Sequence, residues 1–293
     1  MIRVGTAGWA YEDWNTIVYP ARPPRGFDRL SWMASLFDTL EVNSSFYRIP
    51  PPRMTEGWLA RIGHNPRFAF TAKLFRGFTH ERTAGEGERR AFAEAVAPLD
   101  AAGRLGCVLA QFPMSFHNNA ENRRYLDATL SSLEPLALAV EFRHASWDRE
   151  ETQELLSRRS AAFVNIDQPT LSENLGPTHY VTAPIAYFRF HGRNAPKWFG
   201  PDTSNEERYN YLYAPEELAP WSKRISDAAG RAGRGVYAIL NNHFRGQAVA
   251  NALELQRSLT GEVRAVPESL RTTYPALAAV TRAEREAEPG LFG

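Results

Sequence analysis

The chain has 293 residues, with 34 lysine plus arginine against 33 aspartate plus glutamate and a formal charge of +1. A composition of 43% hydrophobic and 23% charged residues is that of a packed globular protein. It excludes a disordered chain, and the near-neutral balance disfavours, without excluding, nucleic acid as a partner. A lone cysteine, Cys107, excludes an internal disulfide and a cysteine-rich zinc site.

Taken in chain order, short β-rich runs alternate with amphipathic helical patterns. A strand is predicted at 2–6, then a helix at 29–38, a strand at 39–43 and a helix at 53–62. The series continues with strand 68–73, helix 86–102, strand 106–111, helix 121–133, strand 136–143 and helix 148–158. Strand 162–167 is followed near 170–175 by a helix that is short or missing. Strand 185–191, helix 215–232, strand 235–241 and helix 246–259 complete the set. Asp148 is expected to cap its helix, and Pro215 with Glu216 and Glu217 to open another. Eight strands alternating with helices predict an α/β fold, a single (β/α)8 TIM barrel over residues 1–281, with 282–293 a loose polar tail. An open doubly wound sheet is the rival, weakened because Gly5–Trp9 (GTAGW) is no GxGxxG turn. No apolar run suits a membrane span, and MIRVGTAGW lacks a signal-peptide layout, so no membrane partner and a cytoplasmic location are expected.

Residues two apart on a strand share a face. On most strands one face is apolar while the other turns polar toward its C-terminal end, where barrel enzymes place their sites. That polar face carries Glu41 and Asn43, Lys73, Gln111, Glu141 and Arg143, Asp167, Arg189 and His191, and Asn241. Any one of these carboxylates has a plain structural use, neutralising Lys73, Arg143 or Arg189. All of them together are costly to bury for stability alone, so a ligand site is the better account. Glu41, Glu141, Asp167 and Lys73 are the candidate catalytic residues. Asn43, Gln111, Arg143, Arg189, His191 and Asn241 are the candidate substrate-binding ones.

His80, His144, His191 and His243 lie at or beyond strand ends and make a divalent metal an alternative. No HExxH or HxH spacing supports it, and cations on the same face oppose it, so no metal or other cofactor is expected. Phosphate-loop and nucleophile-elbow motifs are absent. The loops 9–27 and 192–214, rich in Trp and Tyr, are placed to cover or stack on a ligand. Cys107 is expected on the helix-facing side of its strand as inert core.

GTAGWAYEDW at Gly5–Trp14, FDTLEVNSSFYRIP at Phe37–Pro50, KLFRGFTH at Lys73–His80, QFP at Gln111–Pro113, EFRHASW at Glu141–Trp147, RFHGR at Arg189–Arg193 and NN at Asn241–Asn242 resemble the YecE-like family, a domain of unknown function. The resemblance runs in order to about residue 260 and implies a TIM barrel. It brings no established activity, and its motif positions fall on nearly the residues that strand alternation selects. The expectation is a metal-independent enzyme acting on a small polar, anionic or sugar-like ligand, its reaction (hydrolysis, elimination or isomerisation) undecided. The alternatives are a metal-dependent phosphodiester hydrolase resembling endonuclease-IV-like barrels, with His191 and the carboxylates as ligands, and a non-catalytic small-molecule binding protein. The sequence sets no oligomeric state.

Overall fold

A computed structural model describes residues 1–171, 173–198 and 205–284. Eight parallel strands close into a barrel in chain order: β1 (Ile2–Ala7), β2 (Thr39–Val42), β3 (Ala69–Lys73), β4 (Leu105–Gln111), β5 (Leu138–Glu141), β6 (Ala162–Asp167), β7 (Ile185–Phe190) and β8 (Gly235–Leu240). β8 returns to pair with β1, from Ile2 opposite Val236 to Thr6 opposite Leu240. Seven helices follow strands outside the barrel: α1 (Arg29–Leu36), α2 (Pro52–Arg61), α3 (Glu86–Ala101), α4 (Ala120–Ser132), α5 (Glu150–Arg158), α6 (Pro215–Arg231) and α7 (Gln247–Thr260). This is the TIM barrel that the alternation predicts, and between β6 and β7 no helix occurs among the described residues.

The helices cover the barrel because each has one apolar stripe. α6 buries Leu218, Trp221, Ile225 and Ala228, spaced three or four residues apart, against β7 and β8. Its start is held as expected: the Glu217 carboxylate accepts the Ala214 N–H at 2.9 Å, and Pro215 sits where no N–H partner is needed. The other expected cap is corrected. α5 begins at Glu150 without a side-chain cap, and Asp148 instead accepts a hydrogen bond from the Tyr180 hydroxyl at 2.7 Å.

β1 and β2 approach so closely that a Cβ at Gly5 would lie 1.9 Å from the Thr39 carbonyl oxygen, which leaves only glycine there. The stretch expected as a tail begins with a short pairing. Arg282 and Ala283 pair in parallel with Ala265 and Val266, and residues 285–293 lie outside the described part. No described helix is long and apolar enough to cross a membrane.

Candidate active site at the C-terminal mouth of the barrel

Strand register decides which side chains enter the barrel. Glu41 is opposite Thr71, Gln111 opposite Glu141, and Arg189 opposite Ile239. Inside, Thr71 Oγ1 meets the Tyr187 hydroxyl at 2.9 Å, and that hydroxyl donates to Glu41 Oε2 at 2.8 Å. Arg189 then closes a bidentate pair with Glu41, Nε to Oε2 at 2.9 Å and Nη2 to Oε1 at 2.6 Å. Its Nη1 donates to Glu141 Oε2 at 2.8 Å. One guanidinium thus sets all three of its nitrogens on two carboxylates that are fully buried.

Two more groups stand against Glu141 as close charges without an aligned hydrogen bond. Arg143 Nε lies 2.6 Å from its Oε1, and His191 Nε2 lies 3.2 Å from the same oxygen. Burial opposes ionisation of Glu141, but Arg143, Arg189 and His191 together hold its carboxyl well below the usual carboxylate range. The Asn241 amide donates to His191 Nδ1 at 3.1 Å, which places the ring proton on Nε2, toward Glu141. Burial, helped by Arg143, lowers the His191 pKa to about 3, so the ring is neutral.

Above this floor opens a cleft of about 570 Å³, lined among others by Asn43, Lys73, Gln111, Arg143 and Asn241. A second lobe of about 290 Å³ shares Lys73, Gln111, Arg143 and Tyr209 and adds His80, Gln168 and Trp198. Asn43 Oδ1 is buried without a hydrogen-bond partner among the described residues. Arg143 Nη1 donates to Gln168 Oε1 at 3.1 Å, and Nη2 has no hydrogen bond among the described residues.

Lys73, at the end of β3, has no carboxylate within ion-pair distance among the described residues. Its Nζ lies 4.1 Å from the centre of the Phe46 ring. Burial, then repulsion from Arg189, outweighs the attraction of Glu41 and Glu141 and lowers its pKa to about 7. Four cations, Lys73, Arg143, Arg189 and Arg208, and two carboxylates therefore meet at the mouth, an excess of two positive charges whenever Lys73 is protonated.

The structure brings together nine of the ten residues singled out from the sequence and separates one. Asp167 is opposite Phe190 in the β6–β7 ladder and shares its outward side. There it accepts from Tyr213 Oη at 2.8 Å, from Trp221 Nε1 of α6 at 2.7 Å, and from Arg193 at 2.9 and 2.6 Å. The polar face of β6 is its outer one, since this carboxylate anchors α6 and the loop before it, so Asp167 is no candidate for catalysis at the mouth. Arg189, expected to bind ligand, gives three of its N–H groups to the floor carboxylates and also lines the cleft above them. Cys107 is corrected in the opposite direction. Cys107 is in phase with Leu109 and Gln111 along β4 and pairs with inward-facing Thr71, as Leu109 pairs with Lys73. The thiol therefore lies inside the barrel, where burial and Glu41 push its pKa well up.

Among the histidines, His80 and His243 line the mouth, His243 stacked on Tyr11 at 4.3 Å, while His144 turns away to stack on His117 at 4.0 Å. Among the described residues no group of three or more His, Cys, Asp or Glu is arranged to hold a metal ion. Alternation along strands missed Phe46 and Tyr47, which sit on a one-turn helix, Ser44–Tyr47, directly after Asn43, and Gln168, one residue past β6. The signal for the first pair was the aromatic dipeptide immediately beyond an inward-phase asparagine.

A family model described as a protein of unknown function, DUF72, matches residues 3–276. The UPF0759 protein YunF of Bacillus subtilis (strain 168) is 29% identical over 270 residues, covering 87% of this chain and 93% of that protein. The crystal structure of a DUF72 family protein from Thermotoga maritima MSB8 superposes with a TM-score of 0.77 at 36% identity, over 88% of this chain and 99% of that one. A DUF72 family protein from Enterococcus faecalis V583 also superposes at 0.77, with 28% identity over 88% and 95% of the two chains.

Proposed function

The chain belongs to the DUF72 family, and from that premise and the geometry of the mouth we propose that it is a metal-independent enzyme acting on a small anionic, polar or sugar-like ligand. The YecE-like motifs are taken as the motifs of this family, and a cytoplasmic location is part of the same proposal. One observation carries the reading. Lys73 and the outer edge of Arg143 line a cleft of ligand size without a carboxylate to answer the excess charge. In that role Arg143 and Lys73 hold the anionic group, while Asn43, Gln111 and Asn241 offer amides to the rest of the ligand. Proton transfer falls to Lys73, because Glu41 and Glu141 are committed to Arg189.

The phosphodiesterase alternative requires a donor set that the floor does not supply, since Arg189 fills the space between the two carboxylates. A thermal-shift screen tests the proposal with glucuronate, ribose 5-phosphate and nucleoside monophosphates, each with and without a chelator. The expected outcome is a higher melting temperature with at least one of these anions, indifferent to chelator and lost in Arg143→Gln. Stabilisation that appears only on adding zinc or manganese would reverse it in favour of the phosphodiesterase. Binding without turnover of any bound anion would favour the non-catalytic binding protein.

A further inference from the structure

We propose that Lys73 is a nucleophile that forms an imine with a carbonyl carbon of an anionic substrate seated in the mouth. This rests on the reading of the mouth as an anion-binding active site and names the substrate class: small carboxylates or phosphate esters that carry an aldehyde or ketone. Composition and geometry support it independently. Of the 34 basic residues, 31 are arginine, and the lysines are only Lys73, Lys197 and Lys223. Arginine stays charged in proteins, whereas lysine gives up its proton when desolvated. A chain that otherwise places arginine almost everywhere keeps a lysine at the inward position where β3 ends in the cleft.

The surroundings suit nucleophilic rather than ion-pair chemistry. Lys73 Nζ rests over the Phe46 ring, and it stands on the wall shared by both lobes. Arg143 lines the same two lobes and holds the substrate's anionic group, so the carbonyl lies beside the amine. At neutral pH a large share of the amine is unprotonated, for the reasons of burial and Arg189 repulsion given above. The nitrogen lone pair forms the N–C bond while the carbonyl π pair moves to oxygen, which takes one nitrogen proton to give the carbinolamine. The C–O bond then breaks as the remaining N–H pair forms C=N, and the oxygen departs as water with both amine hydrogens. No oxidant or metal enters this step.

The test uses the full chain at pH 7 with glyoxylate, pyruvate or glyceraldehyde 3-phosphate, each with cyanoborohydride to reduce any imine. Intact mass and peptide mapping then locate the adduct. The expected result is one adduct per chain on Lys73, carrying the probe less one water plus two hydrogens, with the exposed Lys197, Lys223 and the N-terminal amine labelled far more slowly. Arg143→Gln should slow the labelling of Lys73 roughly tenfold by removing a charge-assisted anchor. Lys73→Arg keeps the charge, so it should keep anion-induced stabilisation and lose the adduct. Equal labelling of all amines, or no adduct with any probe, overturns the imine. If the same anions still raise the melting temperature of the wild type and not of Arg143→Gln, the imine alone fails and the anion site stands. If that shift is absent too, both fail.

Discussion

Arg189 on β7 and Glu41 on β2 grip each other from non-neighbouring strands of the barrel in a bidentate pair of 2.9 and 2.6 Å, with exposures of 2% and 0%. The pair is anchored further by Tyr187 on one side and Glu141 on the other. It stabilises the barrel only while complete, because a single buried charge costs far more than a matched pair. Arg189→Met should therefore lower stability by about 3–5 kcal/mol in urea unfolding at pH 7. A loss of less than about 1 kcal/mol, the worth of a surface pair, would mean that the fork does not brace the strands.

Asp167 gives the contrasting case. Replacing it with asparagine removes the charged partner of Arg193 and, of the four hydrogen bonds that Asp167 accepts, turns an amide NH2 toward one of the two from Arg193 whichever way the side chain lies. The expected loss is about 2–3 kcal/mol, moderated because the Arg193 side chain is 36% exposed. Anion-induced melting shifts should be unchanged, since the carboxylate faces α6. A variant that unfolds normally but no longer responds to anions would place Asp167 back in the site.

Acid should destabilise the protein well before its carboxylates are protonated. Burial lowers His191 to about 3, and His80 and His243 to about 4 each, the His80 shift being helped by Lys73 and Arg143. Unfolded imidazoles titrate near 6.5, so between 6.5 and about 4 the unfolded chain binds more protons and stability falls with falling pH. Below the ordinary glutamate value of 4.5 the unfolded chain also protonates Glu141, which the fold keeps ionised, and stability falls further. Urea midpoints at pH 7, 6 and 5 should decrease in that order, and His243→Gln should flatten the decline. Constant midpoints would show these rings taking up protons as readily in the folded state as in the unfolded one.

Lys73 imposes a slope at the alkaline end. Its folded value of about 7 lies below the ordinary 10.5, so in that window the unfolded chain again holds the extra proton and stability rises with pH. Relative to Lys73→Met, the wild type should gain stability from pH 7 to about 10.5, while its affinity for anions should fall as the ammonium is lost. Parallel stability curves for the two proteins across that range would mean that Lys73 titrates like a solvated amine.

Alternation along strands shows which residues share a face, which is why Glu41 with Asn43 and Arg189 with His191 were legible together. It carries no sign. Asn165 and Asp167 form an equally polar face, yet it turns outward, because a buried carboxylate is satisfied as well by Trp221 on a helix as by an arginine inside the barrel. Cys107 was legible as well: it stands two residues before Leu109 and four before Gln111, so plain alternation along β4 already puts it on the inward face, where it pairs with Thr71. Phe46, Tyr47 and Gln168 were hidden for another reason: they lie on a single turn or just past a strand, too short for any period to register. The partners of Glu141 were legible as types but not as contacts, since choosing among Arg143, Arg189 and His191 depends on how β5 and β7 are placed.

The Arg189 cross-brace ties the floor of the cleft to three strands at once, so the floor cannot reshape itself around a different ligand without losing the barrel. Adaptation is left to the rim: Tyr47, which is 65% exposed, together with His80, Trp198 and Tyr209. In a laboratory evolution experiment for new ligands, accepted substitutions should gather at those rim positions, with Glu41, Glu141 and Arg189 unchanged. Chains of this architecture would then differ in what they accept while sharing the same inner frame.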